Sequence, residues 1–249
     1  MVDMNQCILL TACVNPGKMT LTHLKDSSER LNQYKTALDF YLNETDIPIV
    51  FCENTNTDFS SEYQQYIKSG RLEYLTFDGN NYDVRKGKGY GEAIIIKYAF
   101  NHSRIIKQSS IIIKITGRLV CKNINQLVGK CNKPETIYSS LYADKRGHIL
   151  ADSRVLVAPN LFWVNSFLHL ADNINDSNNI FFEHIFYLSS LRGKKQGFSF
   201  KEIWFPIEIE GTSGTSGISY TIGFFPKIKF YIHYFLHRLG YYGPLAFWK

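Results

Sequence analysis

The five cysteines of this 249-residue chain form no Cys-x-x-Cys pair and stand at no Cys/His spacing that would hold zinc. Cys7, Cys13, Cys52 and Cys121 fall in apolar strand-like runs and Cys131 in a loop-like one. The pattern argues against a disulfide scaffold and for reduced, mostly buried thiols. No uninterrupted apolar stretch is long enough to span a bilayer. The amino terminus, Met1-Val2-Asp3-Met4-Asn5, lacks the basic region, long hydrophobic core and small-residue cleavage site of a secretory signal. The expectation is a protein made and kept inside the cell. A long linker and a domain-sized repeat are also missing, so one large α/β domain with a sizeable core is expected.

Hydrophobic residues make up 45% of the chain and charged residues 20%, which argues against disorder and fibrous repeats. A net charge of +6 suits nucleic acid, an anionic membrane surface or a phosphate-rich substrate, and does not choose among them. The aromatics cluster late. Phe224, Phe225, Phe230, Tyr231, Tyr234 and Phe235 interleave with Lys227, Lys229 and Arg238, and residues 226–249 contain no acid but add His233, His237 and Lys249. Such a tail fits a membrane interface, with aromatics at headgroup level and cations toward anionic lipid; it equally fits a C-terminal helix packed on the core.

Gln6 to Val14 reads as a buried strand ended by Pro16-Gly17. A helix capped by Ser27 or Ser28 follows, with Leu31, Ala37, Leu38 and Tyr41 at helical spacing. Ile47 to Cys52 is a second strand, Ser60 or Ser61 to Lys68 a helix, and Leu72 to Phe77 a third strand. Strands alternating with helices imply parallel pairing. A polar, glycine-rich segment from Asp78 to Gly91 precedes a helix from Glu92 to about Phe100. Ile111 to Ile115, apolar except for Lys114, then belongs at the sheet centre. The second half predicts strands at Ile137 to Tyr142, Val155 to Ala158 and Ile203 to Ile209, and helices at Phe162 to Leu170 and Ile180 to Leu191. The run Gly211 to Gly217 reads either as a lid, flanked by Glu208 and Glu210, or as a loose connector.

Ligands of open parallel sheets gather beyond the carboxyl ends of the strands. The polar residues there are Thr11, Asn15 and the adjoining Ala12 after strand one, Glu53 and Asn54 after strand two, Asp78 after strand three, and Thr116-Gly117-Arg118 after the central strand. Loops are polar in any case, so each is also read as an ordinary loop residue. Arg85 to Glu92 places three glycines and three cations at a helix start. That suits an anion site in which glycine lets the backbone approach a phosphate and Lys86 or Lys88 supplies charge; a basic surface turn is the alternative. It matches neither a Walker motif nor a dinucleotide fingerprint.

With Gly87-Lys-Gly-Tyr-Gly-Glu92 before a helix, Ile112-Ile-Lys-Ile-Thr-Gly-Arg118 with Asn123 beyond it, and further on Asp152-Ser-Arg154 and Phe182-Glu183, the chain resembles bacterial glycosyltransferases of capsule and O-antigen clusters. The resemblance implies a GT-A-like, Rossmann-like fold: a mostly parallel central sheet flanked by helices in one domain over 1–225, with the tail 226–249 appended. It also implies a nucleotide-sugar-binding half at about 1–120 and an acceptor half at 121–225. The Asp-x-Asp motif with which such enzymes hold a divalent metal occurs nowhere in the chain. Thr116-Gly117-Arg118 stands in its place, and the Arg118 fork can neutralise a diphosphate instead. Weak or absent metal dependence is expected, with Asp144 and Asp152 as the remaining candidate ligands for manganese or magnesium.

Inverting glycosyl transfer needs a base for the acceptor hydroxyl and stabilisation of the leaving diphosphate. The resemblance points to Glu183 as that base, next to His184, with Asp152 second and Arg154 a clamp on donor or acceptor. The alternative for Glu183 is a helix-start carboxylate favoured by the dipole. Thr11, Glu53, Lys88 and Arg118 would hold the donor. The implied partners are a nucleotide sugar, a lipid-linked or growing surface-polysaccharide acceptor and the inner face of the cell membrane. A nucleic-acid-binding module is a rival for which no motif is present. A non-catalytic scaffold in polysaccharide assembly is the other.

Overall fold

The structure, a computed structural model, describes residues 5–17, 24–144, 147–214, 217–220 and 224–241. Its strands are β1 (Gln6–Ala12), β2 (Ile49–Glu53), β3 (Leu72–Thr76), β4 (Ile111–Thr116), β5 (Val120–Cys121), β6 (Thr136–Ala143), β7 (Ile149–Pro159) and β8 (Ser199–Glu202). Seven form one sheet in the order β3-β2-β1-β4-β7-β6-β8. Only β7 runs against its neighbours; all other pairings in the sheet are parallel in sense. This is the mixed α/β, mostly parallel architecture that the alternating pattern implies.

Both faces of the sheet are covered at its centre, which is why β1, β2 and β4 are mostly apolar rather than alternating. Ile8, Leu10 and Ala12 face α1 (Ser27–Glu44), where Tyr34, Leu38 and Tyr41 are buried. Cys7 and Leu9 face α3 (Gly87–His102), which follows the short α2 (Gln64–Lys68) and supplies Ile95, Ile96 and Ala99. The cap of α1 is Asp26 rather than either serine: its carboxylate accepts the Ser28 and Glu29 N–H groups at 2.8 and 2.9 Å.

Several expectations are corrected. Helix α3 starts at Gly87, not Glu92, because the glycines are packing positions. A Cβ on Gly89 would lie 3.1 Å from Phe182 Cβ, and one on Gly91 would lie 2.1 Å from the Tyr82 hydroxyl. Strand β7 is longer than Val155 to Ala158 since it pairs with β4 on one side and β6 on the other. Ile203 to Ile209 is not one strand: β8 ends at Glu202, and Pro206 interrupts before β9 (Ile209–Thr212). The described part of the Gly/Ser/Thr run belongs to a hairpin in which β9 pairs with β10 (Ser219–Tyr220) and with β5.

After α4 (Arg104–Gln108) and α5 (Ile124–Lys130), the segment expected as one helix at 162–170 is split. It consists of α6 (Asn160–Phe162), a π-helical turn at Trp163–Phe167 and α7 (Leu168–Leu170). Phe162, Trp163 and Phe167 pack there with Phe182 and Phe186 of α8 (Phe182–Lys195). The tail forms α9 (Phe224–Arg238); residues 242–249, with Lys249, and the side chains of 224–226 lie outside the described ones. Among the described residues no helix is long and apolar enough to cross a membrane.

Candidate active site

From β1 the chain steps outward to β2 and β3, then returns to lay β4 on the other side of β1. The crevice between β1 and β4 is therefore a topological switch point, where doubly wound sheets bind ligands. A cavity of about 740 Å³ opens there. Thr11 at the end of β1 and Thr116 at the end of β4 flank it, and α3, β7 and α8 bring Lys88, Asp152, Arg154 and Glu183 to its walls.

The floor is an ionic network. Lys114, fully buried on β4, lies 2.5 Å from Glu92 Oε1 on α3 and donates to the Ser153 carbonyl of β7 at 2.6 Å. Its ammonium also sits 5.3 Å from the centroid of the Phe182 ring. Thr11 Oγ1 donates to Glu92 Oε1 at 2.8 Å and Thr116 Oγ1 to the same oxygen at 3.4 Å. Ser153 Oγ donates in turn to Glu183 Oε1 at 2.5 Å. A buried ion pair adds little net stability over an apolar pair of the same size, so its place under a ligand crevice points to positioning.

Above the floor the groups are set for an anion. Arg118 is 8% exposed; its Nη1 donates to Gln33 Oε1 and the Thr212 carbonyl at 3.2 and 3.0 Å, while its Nε, also buried, has no partner. Two acceptors are orphaned in the same cavity, Asn54 Oδ1 and Asn80 Oδ1. Buried polar atoms left unpaired are costly, and these three belong to residues that line one crevice. Lys88 reaches solvent, yet projects into the cleft; desolvation there lowers its pKa, and Glu183, Asp176 and Glu92 partly oppose that shift.

The amides at the start of α3 already hold an internal anion. Asp176 accepts the backbone N–H groups of Lys88 and Gly89, and its pKa is raised by desolvation and then by Glu183, against the pull of Lys88. Gly87, at φ +80°, is the residue that lets this carboxylate approach, since a Cβ would lie 2.0 Å from Asp176 Oδ2. On β7, burial would raise the Asp152 pKa, but Arg154 outweighs it and holds the carboxyl below its ordinary value. The guanidinium grips both carboxylate oxygens at 2.5 to 3.1 Å and lies 4.8 Å from the Tyr220 ring centroid.

The structure thus brings Thr11, Ala12, Asn54, Lys88, Thr116, Arg118, Asp152, Arg154 and Glu183 around one cavity. It does not bring the others there. Glu53 is fully buried and holds loops: its carboxylate accepts N–H groups of Val14, Thr55 and Thr57 at 2.8 to 2.9 Å and the hydroxyls of Thr55 and Thr76. Asn15 closes the turn after β1, its Oδ1 accepting the Gly17 N–H at 3.2 Å. Lys86 turns away onto the Tyr90 ring at 4.0 Å. Gly117 is a close-approach position, since a Cβ would stand 2.7 Å from the Thr11 carbonyl oxygen. His184 lies outside the cavity lining and caps α8, its Nδ1 accepting the Phe181 N–H at 3.1 Å.

That last bond decides the one metal-like cluster among the described residues. Ligand atoms of Asp144, His148 and His184 lie within 4.8 Å of one another. Because His184 Nδ1 is an acceptor, the neutral ring carries its proton on Nε2, the atom a metal would need. Asp144 meanwhile accepts from the backbone N–H of His148, and its Oδ2 lies 2.9 Å from His148 Nδ1. Within the cleft Glu92 faces Lys114, Asp152 faces Arg154, Glu202 faces His237, Glu208 faces Lys227, Asp176 accepts two amides and Glu183 accepts Ser153. This donor set does not fit the divalent ion that the expected fold family ordinarily carries.

Sequence reasoning did not assign Lys114, Glu92, Ser153, Asn80 or Asp176 to the site. Lys114 had a signal, as the lone cation in a β-branched run, and Asn80 lay in the glycine-rich segment 78–91 that follows the third strand; Asp176 had none, being a polar residue in a polar loop.

No protein-family model matches the chain, and no curated protein matches it in sequence. Solved structures do match in fold. Core-mannan synthase A from Aspergillus fumigatus, in its Mn/GDP form, superposes with a TM-score of 0.50 at 8% identity, covering 96% of this chain and 86% of that one. A protein assigned as a nucleotide-diphospho-sugar transferase from Desulfovibrio desulfuricans gives 0.45 at 10% identity over 80% and 79%. A 4-diphosphocytidyl-2C-methyl-D-erythritol synthase gives 0.48 at 10% over 95% and 100%. The likeness to core-mannan synthase A is one of fold, a GT-A-like mixed α/β sheet flanked by helices.

Proposed function

We propose that the protein is a glycosyltransferase that moves a sugar from a nucleoside-diphosphate sugar to a lipid-linked or growing surface-polysaccharide acceptor. The observation that carries the reading is the cavity at the β1/β4 switch point, whose walls collect Lys88, Arg118, Asp152, Arg154 and Glu183. In this reading Asn54 and Asn80, on the cavity wall, contact the nucleoside. Arg118 and Lys88 neutralise the leaving diphosphate in place of a metal, with Asp176 giving up the α3 amides as phosphate arrives. Glu183, held by Ser153, takes the proton of the acceptor hydroxyl as it attacks the anomeric carbon with inversion; Asp152 is held by Arg154 and orients substrate.

Peripheral attachment to the inner membrane face is supported by α9. Ile228, Tyr231, Ile232, Phe235 and Leu239 form one exposed apolar stripe along the helix and just past its end, with Lys229 and Arg238 beside it. The inward face contributes Lys227, His233 and Tyr234 to the cavity.

A thermal-shift screen against UDP-, GDP-, CMP- and dTDP-sugars tests the donor claim; stabilisation by none of them would sink it. In a transfer assay with the responding donor, Glu183→Gln is expected to lower the rate about 100-fold or more while donor binding persists. Transfer is expected to survive EDTA, and complete loss rescued by manganese would overturn the metal-free reading.

A further inference from the structure

A second cavity, of about 550 Å³, lies behind the cleft between β6, β8, α8 and the inner face of α9. Five cations line it: Lys130, Lys133, Lys194, Lys201 and Arg238. Among the described residues none of the five faces a carboxylate at ion-pair distance. The one acid in the lining, Glu202, lies 2.6 Å from His237. In a chain whose net charge is +6, this is a local concentration of unbalanced positive charge, and a concavity focuses such a field.

The remaining walls include Tyr187, Phe200 and Trp204, and Trp204 stays 49% exposed. Flat apolar faces beside polar groups are how binding sites hold rings that carry hydroxyls. Leu141, Glu202 and Tyr234 line both cavities, so the two are adjacent and share a wall.

We propose that this second cavity binds a phosphate-bearing saccharide, its anionic group among the five cations and a sugar ring against Trp204. That the saccharide is the acceptor of transfer rests on the glycosyltransferase reading; the binding itself does not.

Isothermal titration of the full chain with maltose 1-phosphate, maltose and inorganic phosphate tests it. Maltose 1-phosphate is expected to bind about tenfold more tightly than either part alone. Lys133→Glu with Lys201→Glu, at unchanged melting temperature, is expected to lose about tenfold of that affinity. Trp204→Ala is expected to reduce it to that of inorganic phosphate. Lys88→Met, in the donor cleft, is expected to leave it unchanged. Insensitivity to the charge reversals, or loss in Lys88→Met, would overturn the location; equal affinity for maltose 1-phosphate and phosphate would overturn the saccharide. Nucleotide-sugar binding by the charge-reversal variant separates the two proposals, because it persists whichever way this one falls.

Discussion

Glu53 at the end of β2 and Glu92 on α3 are both carboxylates withdrawn from bulk water beside β1, and their partners differ in kind. Glu53 accepts only neutral donors from its own and adjoining loops, and it makes no part of the cleft wall. Glu92 faces a buried ammonium and two threonine hydroxyls, and it lines the cleft. The first arrangement needs no ligand, because every lone pair that matters is already satisfied inside the fold. The second leaves a polarised floor, continuous through Lys114 and Ser153 to Glu183. A buried acid beyond a strand end is therefore not a site residue by position alone; the charge of its partners and its access to the crevice decide.

The sharpest break in this comparison is at Lys114. Lys114→Met strands Glu92 and is expected to destabilise by about 3 kcal/mol in urea unfolding, and Lys114→Met with Glu92→Gln to recover at least half of it. An undiminished loss in the double variant would mean that the lysine acts through packing rather than charge. Glu53→Gln comes next. It places an amide group against backbone donors and is expected to cost about 1–3 kcal/mol while leaving nucleotide-sugar affinity as it was. A fall in affinity at unchanged stability would return Glu53 to the site.

The smallest effect concerns His184, whose pKa is lowered from 6.5 chiefly by desolvation and then by His148, against Asp144 and Glu183. The fold prefers the neutral ring, which accepts the Phe181 N–H. As pH falls through 6.5 the unfolded chain takes the proton first, so stability declines on the acid side of that value. Urea midpoints at pH 7.5 and 5.5 are expected to differ less in His184→Asn than in the wild type; an equal difference would show that the cap is not the titrating element.

The parallel half was legible because Cys7–Ala12, Ile49–Cys52 and Ile111–Ile115 are apolar runs broken only by Thr11 and Lys114, and a sheet covered on both faces accepts such runs. The cleft was legible in part for the same reason, since strand ends in such a sheet gather at one edge. The glycines at 87, 89 and 91 misled because a missing Cβ serves a flexible loop and a tightly packed helix equally. Strand β8 escaped because four half-exposed residues at a sheet edge carry little hydrophobic pattern.

Local chemistry, read from the chain alone, determined that the early strands are buried and that helices cross between them. Only the tertiary structure decided which polar groups face each other: that Lys114 meets Glu92, that Asp176 occupies the amides of α3, and that Glu53 is closed off. Secondary structure follows from periodicities a few residues long, whereas these pairings join residues up to 88 positions apart, as between Lys88 and Asp176. Their energies depend on burial and approach, and neither exists until the sheet and its helices have come together.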